Sequence, residues 1–457
     1  MTTEQVEEKV RDTLRAVALG GVRAPGDLAE QVVRRRGRRR FSQAAGAATA
    51  VTAITVGAVF GFGGGGSAEP DRPVRPAASS PEGWQPWQSD TPGGSERGCL
   101  VDGSALYCAG SKYDAAKYDA NTGERQWTVK VNREGDGLDH PFAVRDGVVY
   151  TYRNHTAENL PNGDYMGGTD LMAVDADNGD VLWKTEMPQD DRTGQAAMLI
   201  DGAVFVNTPS LRTMSALDPR TGDEKWRHTW DKGTVCQRAV LSGTPYLLCA
   251  PDVEKPDGTD VFRLDPATGD AEKVTTLPGR QRLMGTFGDR LVVAGAKSPA
   301  DKDLVVTLIS SSGEQVSHPY RINGELANSE VIGNRLITVS WKGEASVYSL
   351  TTGETLWTRP VGVKMPDKET MTGVAPPSVG IAPPVVSERQ GLVYFYSPTG
   401  YLSALDLRSG ERVWRDHVEP GEPKPHFGDT SQVLLYEDAL VVRNGSEMVS
   451  LLPRIGD

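Results

Sequence analysis

The residues best suited to chemistry are few and dispersed in this sequence of 457 residues. Four cysteines fall in two local pairs, Cys99 with Cys108 and Cys236 with Cys249, each flanking a short hairpin signal. If the turns occupy 102–105 and 241–244, both pairs stand directly opposite across two antiparallel strands. The second hairpin is longer by two residues on each side, which preserves side-chain parity. Two pairings of one geometry point to disulfides and to an oxidising compartment. A zinc site is the alternative, but neither a CxxC nor paired histidines accompany these thiols. The six histidines, His140, His155, His228, His318, His417 and His426, stand singly without HExxH spacing, so each reads as a packing or surface residue. Asp175, Asp177, Asn178 and Asp180 crowd together as calcium ligands would, yet their spacing departs from an EF-hand loop and a plain hairpin turn accounts for them. A GxSxG elbow is absent, and the glycine run 63–66 lacks the Lys and Ser/Thr of a phosphate loop.

The elements that must carry these residues are written as an internal repeat. Tyr118-Asp119 leads to Gly123 and Trp127, Val174-Asp175 to Gly179 and Trp183, and Leu217-Asp218 to Gly222 and Trp226. Leu264-Asp265 and Gly269 follow with Lys273 in the Trp place, and Leu308 to Gly313 is a degenerate copy. Tyr348, Gly353 and Trp357, then Leu405-Asp406, Gly410 and Trp414, continue the series, and the final residues reach Gly456 in phase. Eight copies result, with seven Gly-to-Gly intervals averaging about 48 residues.

Each part of the phrase has a physical role. The apolar residue and its alternating predecessors end a core-facing strand, and Asp followed by a polar turn closing on Gly is hairpin chemistry. The Trp four residues later lies on the returning strand, where its ring can bury roughly 150–250 Å² against a neighbouring repeat. A second strand pair precedes most copies, as at Arg145-Asp146-Gly147-Val148 and Ile200-Asp201-Gly202-Ala203. Four short strands per period predict an all-β, eight-bladed β-propeller. The last copy stops before its Trp strand, and Gly83-Trp84-Gln85-Pro86-Trp87 at the other end of the domain supplies the missing residue type. The two ends are therefore expected to share the eighth blade and close the ring.

The phrase Ala-Leu-Asp-Pro-Arg-Thr-Gly-Asp-Glu-Lys-Trp ending at Trp226 resembles the tryptophan-docking repeat of the PQQ-like, or quinoprotein-like, propeller family. That class includes pyrroloquinoline quinone dehydrogenases and a non-enzymatic, BamB-like branch. The resemblance covers about residues 83–457 and implies the fold; its motif is structural, with Gly and Trp gluing blades together. An enzyme of the class would show a vicinal Cys-Cys pair, an Asp base and a calcium ion held by Glu and Asn. No two cysteines are adjacent here, so a dehydrogenase is the less favoured reading and no catalytic, cofactor or metal residue is assigned.

Composition sets the location. The formal net charge is −12, which argues against a duplex nucleic-acid binder. Residues 1–40 nevertheless hold ten Lys or Arg against six Asp or Glu, a balance of +4 that leaves −16 for the rest. The stretch 41–63 carries no charge, and its 21 residues 42–62 are long enough as a helix, at roughly 32 Å, to cross a hydrocarbon core of about 30 Å. The arginines before it place the N-terminus in the cytoplasm. The expected order is a short helical, basic cytoplasmic segment 1–40, one transmembrane helix 41–63, a Gly/Pro/Ser-rich linker 64–82 and an extracytoplasmic propeller 83–457. Arg38-Arg39-Arg40-Phe41 also resembles a twin-arginine export signal, and under either reading the large domain is exported.

Two repeat intervals are long because of inserted loops, 154–169 and 362–390, the second holding Met365, Met371 and the pairs Pro376-Pro377 and Pro383-Pro384. Long loops on a rigid ring are natural binding sites. The functional expectation is a single-pass, monomeric propeller of the cell membrane that binds protein partners as an envelope-assembly scaffold, without catalysis or cofactor. The rival from another class is a sensor propeller signalling through its anchor to a cytoplasmic regulator.

Overall fold

The Asp-to-Gly phrase folds as the tight turn between the third and fourth strands of a blade. The computed structural model describes residues 78–95, 97–131, 140–156, 167–188, 197–253, 256–296, 303–323, 326–364, 381–419 and 431–455, all within one compact unit, Pro73–Asp457. These residues form eight four-stranded antiparallel sheets. Blades 1 to 7 are sequential meanders over 98–130, 143–187, 198–229, 234–278, 281–323, 326–360 and 385–417. Blade 8 joins Gln432–Tyr436, Ala439–Asn444 and Glu447–Leu451 to Trp87–Asp90, paired from Trp87↔Ser450 to Asp90↔Glu447. The closing strand thus starts at Trp87, and the expected stretch 83–86 leads into it.

Blade 3 shows how the turn is built. The Asp218 carboxylate accepts from the N–H groups of Arg220 (2.9 Å) and Thr221 (3.1 Å), and the Gly222 N–H returns to the Asp218 carbonyl. Gly222 sits at φ +76°, a conformation that L side chains rarely adopt. The Arg220 N–H bond, chiefly, holds the Asp218 carboxyl below its ordinary range. The same pair of bonds recurs at Asp119, Asp175, Asp265 and Asp406. Beyond the turn the register passes from Leu217↔Glu224 to Ala216↔Trp226, so Lys225 is an extra, bulged residue. In Glu224–Thr229 only Trp226 is fully buried.

The docking tryptophans meet the next blade. Indole N–H groups donate from Trp87 to Ala120 O (2.9 Å), Trp127 to Ala176 O (3.1 Å), Trp183 to Pro219 O (3.0 Å), Trp226 to Pro266 O (2.7 Å) and Trp357 to Leu407 O (3.1 Å). The rings lie against Gly123, Gly179, Gly222, Gly269 and Gly410, where an added Cβ would come within 2.4 to 2.9 Å of the ring. Trp414 is half-buried against Tyr394, and its counterpart Gly456 lies outside the described residues. Lys273 takes no such place: it is exposed and pairs with Asp260 at 2.8 Å.

One sequence expectation changes in the middle of each blade. The strand ending each phrase, such as Thr213–Leu217, is expected to alternate, yet every residue in it is buried, as is every residue of its neighbour Ala203–Asn207. A blade between two neighbours is covered on both faces, so its second and third strands have no solvent side, as in any sheet packed on both faces.

Both cysteine pairs lie opposite in register, Cys99↔Cys108 and Cys236↔Cys249, and both are disulfides. They join the first two strands of blades 1 and 4, with turns at 102–105 and 241–244 as the spacing required. Each faces the preceding blade: both sulfurs of the first lie 3.9 to 4.0 Å from the Met448 sulfur of blade 8, and the second packs in one cluster with Trp226 of blade 3. Loops closed across 9 and 13 residues are worth about 3 kcal/mol each by chain entropy. Reduction under native conditions should therefore lower the Tm by several degrees, and intact-mass alkylation of the unreduced chain should find no free thiol. Four alkylated cysteines would contradict both bridges.

The anticipated segments 1–40 and 41–63 and the linker as far as residue 77 lie outside the described residues. Among the described residues, no helix is long and apolar enough to cross a membrane. Contacts with the ring begin inside the stretch read as linker. The Asp438 carboxylate, 1% exposed, accepts from the Ser79 N–H (3.0 Å) and pairs with Arg389, because a carboxylate buried this deeply needs partners.

Candidate binding face

A propeller has two ends, and the topology assigns each connection to one of them. First-to-second and third-to-fourth strand turns lie at one end; second-to-third hairpins and blade-to-blade connections lie at the other. The turn end is uniformly tight, with two-residue connections such as Gly103-Ser104, Asp201-Gly202 and Ser242-Gly243. Every long connection belongs to the opposite end, including 361–384 and 418–431.

The two inserted loops of the sequence both leave from this end, with altered bounds. Ladder pairs continue from Asn154↔Thr169 to Thr156↔Gly167, so the hairpin is lengthened and the insertion proper is 157–166, outside the described residues. In the second, Met365, Met371, Pro376 and Pro377 lie outside the described residues, while Pro383-Pro384 lead into Val385–Ser387, the first strand of blade 7. Three large apolar residues are exposed at second-to-third hairpins of this same end: Leu211 (43%) in blade 3, Val253 (53%) in blade 4 and Trp341 (38%) in blade 6. Sequence reading missed all three, because only the topology shows that these turns share an end. Trp341, outside the docking series, was the signal available.

Beneath this end lie buried charges. Asp114 is fully buried and accepts from the Arg153 Nε at 2.7 Å, with Arg97 at 3.7 Å. Burial outweighs both cations and raises its carboxyl above the ordinary range. This pairing ties blade 1 to blade 2, and the Thr151 hydroxyl adds a bond to the Asp114 carbonyl at 3.1 Å. Arg443 is fully buried in blade 8, and burial, assisted by that charge, holds the His140 imidazole down to about 4. Tyr396, also fully buried, has its phenol raised by burial.

At the turn end a cleft of about 200 Å³ opens between blades 2 and 3, lined by Arg145, Asp146, Tyr150, Asp218, Arg220 and Lys225. Its cations are already engaged: Arg145 donates to Ile200 O, Arg220 to Asp146 O and Lys225 to Gly202 O. The cleft is a stitch between blades.

The chemical candidates are dispersed. Among the described residues, no group of three or more His, Cys, Asp or Glu could hold a metal ion. Asp175 directs an oxygen at the N–H groups of Asp177 and Asn178, which is turn capping. All four cysteines are committed to cross-strand bridges, so they offer no vicinal pair over a quinone. His228 is partly buried, which lowers its pKa, and His417 lies 3.7 Å from Glu419 at the surface. His318 is in a blade seam, hydrogen-bonded to Leu350 O. Nothing is described of the His155 side chain, and His426 lies outside the described residues.

Comparison with known proteins matches residues 111–295 and 252–457 to the family model described as outer membrane protein assembly factor BamB. A curated relative of that name from Alteromonas naphthalenivorans is 34% identical over 117 residues, 22% of this chain and 26% of that protein. The chain thus matches about a quarter of the length of that relative. Among solved structures, BamB from Moraxella catarrhalis aligns over 80% of this chain and 99% of its own, at 15% identity and a TM-score of 0.46. The computationally designed protein Ika8 aligns over 80% and 98%, at 12% identity and a TM-score of 0.50. At 12% identity the likeness to Ika8 is one of fold.

Proposed function

Because the chain belongs to the PQQ-like propeller family described as outer membrane protein assembly factor BamB, we propose that it is a non-catalytic, protein-binding scaffold of the cell envelope. Residues 41–63 cross the membrane, residues 1–40 stay in the cytoplasm, and the propeller stands outside as a monomer that closes its own ring. Partners dock on the end that carries the long connections. The observation that carries this reading is that Leu211, Val253 and Trp341, on blades 3, 4 and 6, are all exposed at that end, above a ring whose blades are locked by indoles and buried ion pairs. A rigid ring presents such residues with little ordering cost on binding.

Photo-crosslinkers placed at Leu211 and Trp341 in the full-length chain, in its host's membranes, are expected to capture the same discrete envelope protein. Crosslinkers at Leu182 and Leu356, exposed on outer strands of blades 2 and 6, should capture it several-fold less. Equal capture at all four sites would move the docking surface. Purified chain carrying bound quinone, with no captured protein, would sink the scaffold reading. The segment 1–40 favours the sensor as a second reading, in which the same face takes the signal and residues 1–40 pass it on; an unchanged phenotype after deletion of residues 1–33, with export intact, would exclude it.

A further inference from the structure

On the outer strands of blades 2, 3 and 4, exposed cations are matched by carboxylates. Lys184 lies 3.5 Å from Asp170, Arg227 2.8 Å from Glu224 and Lys273 2.8 Å from Asp260. The seam between blades 6 and 7 departs from this pattern. Its outer mouth carries Arg359 on Thr355–Pro360 of blade 6, with Arg412 and Arg415 on Arg412–His417 of blade 7, all three exposed. Among the described residues, none of the three forms an ion pair: Arg359 donates to the Thr358 carbonyl at 3.1 Å, and the Arg415 guanidinium lies over the Tyr401 ring, 5.6 Å from its centre.

The registers of the two blades turn these arginines into one groove. Ala345↔Arg359 and Val347↔Trp357 put Arg359 on the face whose indole docks on blade 7. Leu405↔Arg412 and Ser403↔Arg415 put both blade 7 arginines on the face that meets blade 6, where the Ser403 hydroxyl donates to Val361 O. The side chains cross the seam in opposite directions. An added Cβ at Gly410 would come within 2.8 Å of the Arg359 Cγ, and one at Gly362 within 3.0 Å of the Arg412 Cδ. Carboxylates stand nearby without answering them. Asp416 is opposite Leu402, on the other face, and accepts from the His417 N–H; Glu344 is opposite Pro360, also on the other face; Glu419 lies 3.7 Å from His417.

Like charges gathered in one groove repel each other, and a chain of net charge −12 has carboxylates enough to neutralise them. Here the positive field is left for an anion from outside. The net negative charge repels acidic partners over the rest of the surface, so this groove is where one is steered in. The groove also runs into the end that carries the long connections. The Val361 N–H bonds Gly343 O at 2.9 Å, so the hairpin of the exposed Trp341 borders Gly362, against which Arg412 lies. An occupant must offer anions along the seam and an apolar group at its end, which a polypeptide does and a phosphate polymer does not.

We infer that the mouth of the seam between blades 6 and 7 is a groove for an acidic peptide segment of the partner, with carboxylates against Arg359, Arg412 and Arg415 and an apolar side chain against Trp341. The inference rests on the reading of the long-connection end as the docking face. Arginine suits the task, because its planar fork takes a carboxylate through two N–H groups and can do so while stacked on a ring such as Tyr401.

Fluorescence anisotropy of the full-length chain with a labelled peptide of alternating glutamate and glycine ending in leucine tests the groove. Binding that weakens with added salt is expected, and the glutamine version of the peptide should bind several-fold less. Arg412→Glu with Arg415→Glu should weaken the glutamate peptide by about tenfold, since attractive charge pairs become repulsive ones. Arg227→Glu with Lys273→Glu makes the same charge change on blades 3 and 4 and should leave binding unchanged. Trp341→Ala should weaken the peptide ending in leucine and not one ending in glycine. All these side chains are exposed, and an unchanged melting temperature checks that each variant is folded. The groove is refuted if the Arg227 and Lys273 changes weaken binding as much, if the glutamine peptide binds as well, or if inorganic polyphosphate binds and the glutamate peptide does not. Crosslinking in host membranes separates this from the docking reading. Capture at Trp341 that persists undiminished with Arg412→Glu and Arg415→Glu overturns the groove alone. A wild-type chain that binds the glutamate peptide, yet captures no envelope protein at Leu211 or Trp341, overturns the docking reading and supports the groove.

Discussion

Replacing Trp226 by alanine is expected to lower the unfolding free energy by about 3–5 kcal/mol, the range for truncating a large buried aromatic. The side chain is 7% exposed, packs in one cluster with Phe205, Leu247 and Leu264, and donates to Pro266 O. Truncation removes the apolar burial, leaves that carbonyl without its donor and uncovers Gly269, whose φ of +78° was stabilised under the ring. Part of the loss should appear as earlier local opening of blades 3 and 4, because the side chain bridges the seam between them. Urea denaturation with two probes measures the total, and a change below about 1 kcal/mol would mean that the indole is not an interblade dock. Trp183, docked on Gly222 and Pro219 O, should behave alike.

The repeat was legible because one side-chain chemistry recurs at fixed offsets. Asp caps its own turn, Gly takes positive φ, and Trp covers the next glycine, so a period near 48 residues and five regular tryptophans were enough to predict blades. The cysteine pairs were legible for a similar reason: in a two-stranded ladder, equal offsets on either side of a turn put residues opposite each other. The place of His318 in a blade seam was not legible, since it pairs with Val306, two ladder positions farther from its turn than Trp226 stands from its own. The alternation expected of the strand ending each phrase failed at Thr213–Leu217 because a blade between two neighbours has no solvent face there. The exposed trio Leu211, Val253 and Trp341 escaped notice because scattered apolar residues are ordinary until the topology places them at one end.

Removing residues 78–90 from the propeller is expected to have the largest effect of any change considered. Those residues contribute the fourth strand of blade 8, with its ladder from Trp87↔Ser450 to Asp90↔Glu447. They also carry two buried or half-buried indoles, Trp84 bonded to the Ser450 hydroxyl at 2.8 Å and Trp87 bonded to Ala120 O and lying on Gly123. Among the described residues, no other segment places an indole in the junction between blades 8 and 1, which Gln432 and Tyr436 also span through Cys99 and Asn121. The disulfide Cys99–Cys108 and Met448 sit in the same cluster as Trp84, so the truncation would expose the interior of that seam as well as an edge. Two such aromatics at about 3–5 kcal/mol each are comparable with the whole stability of an ordinary domain, about 5–15 kcal/mol. The truncated chain should therefore lose its cooperative transition, and Glu447–Leu451, left as an unpaired edge, should drive self-association. Size-exclusion chromatography and near-UV circular dichroism read both outcomes. A synthetic peptide of residues 78–90 should restore the monomer when added in excess, since it carries the strand and both indoles. A truncated monomer that melts with the intact domain would show that the ring is held shut without its N-terminal strand.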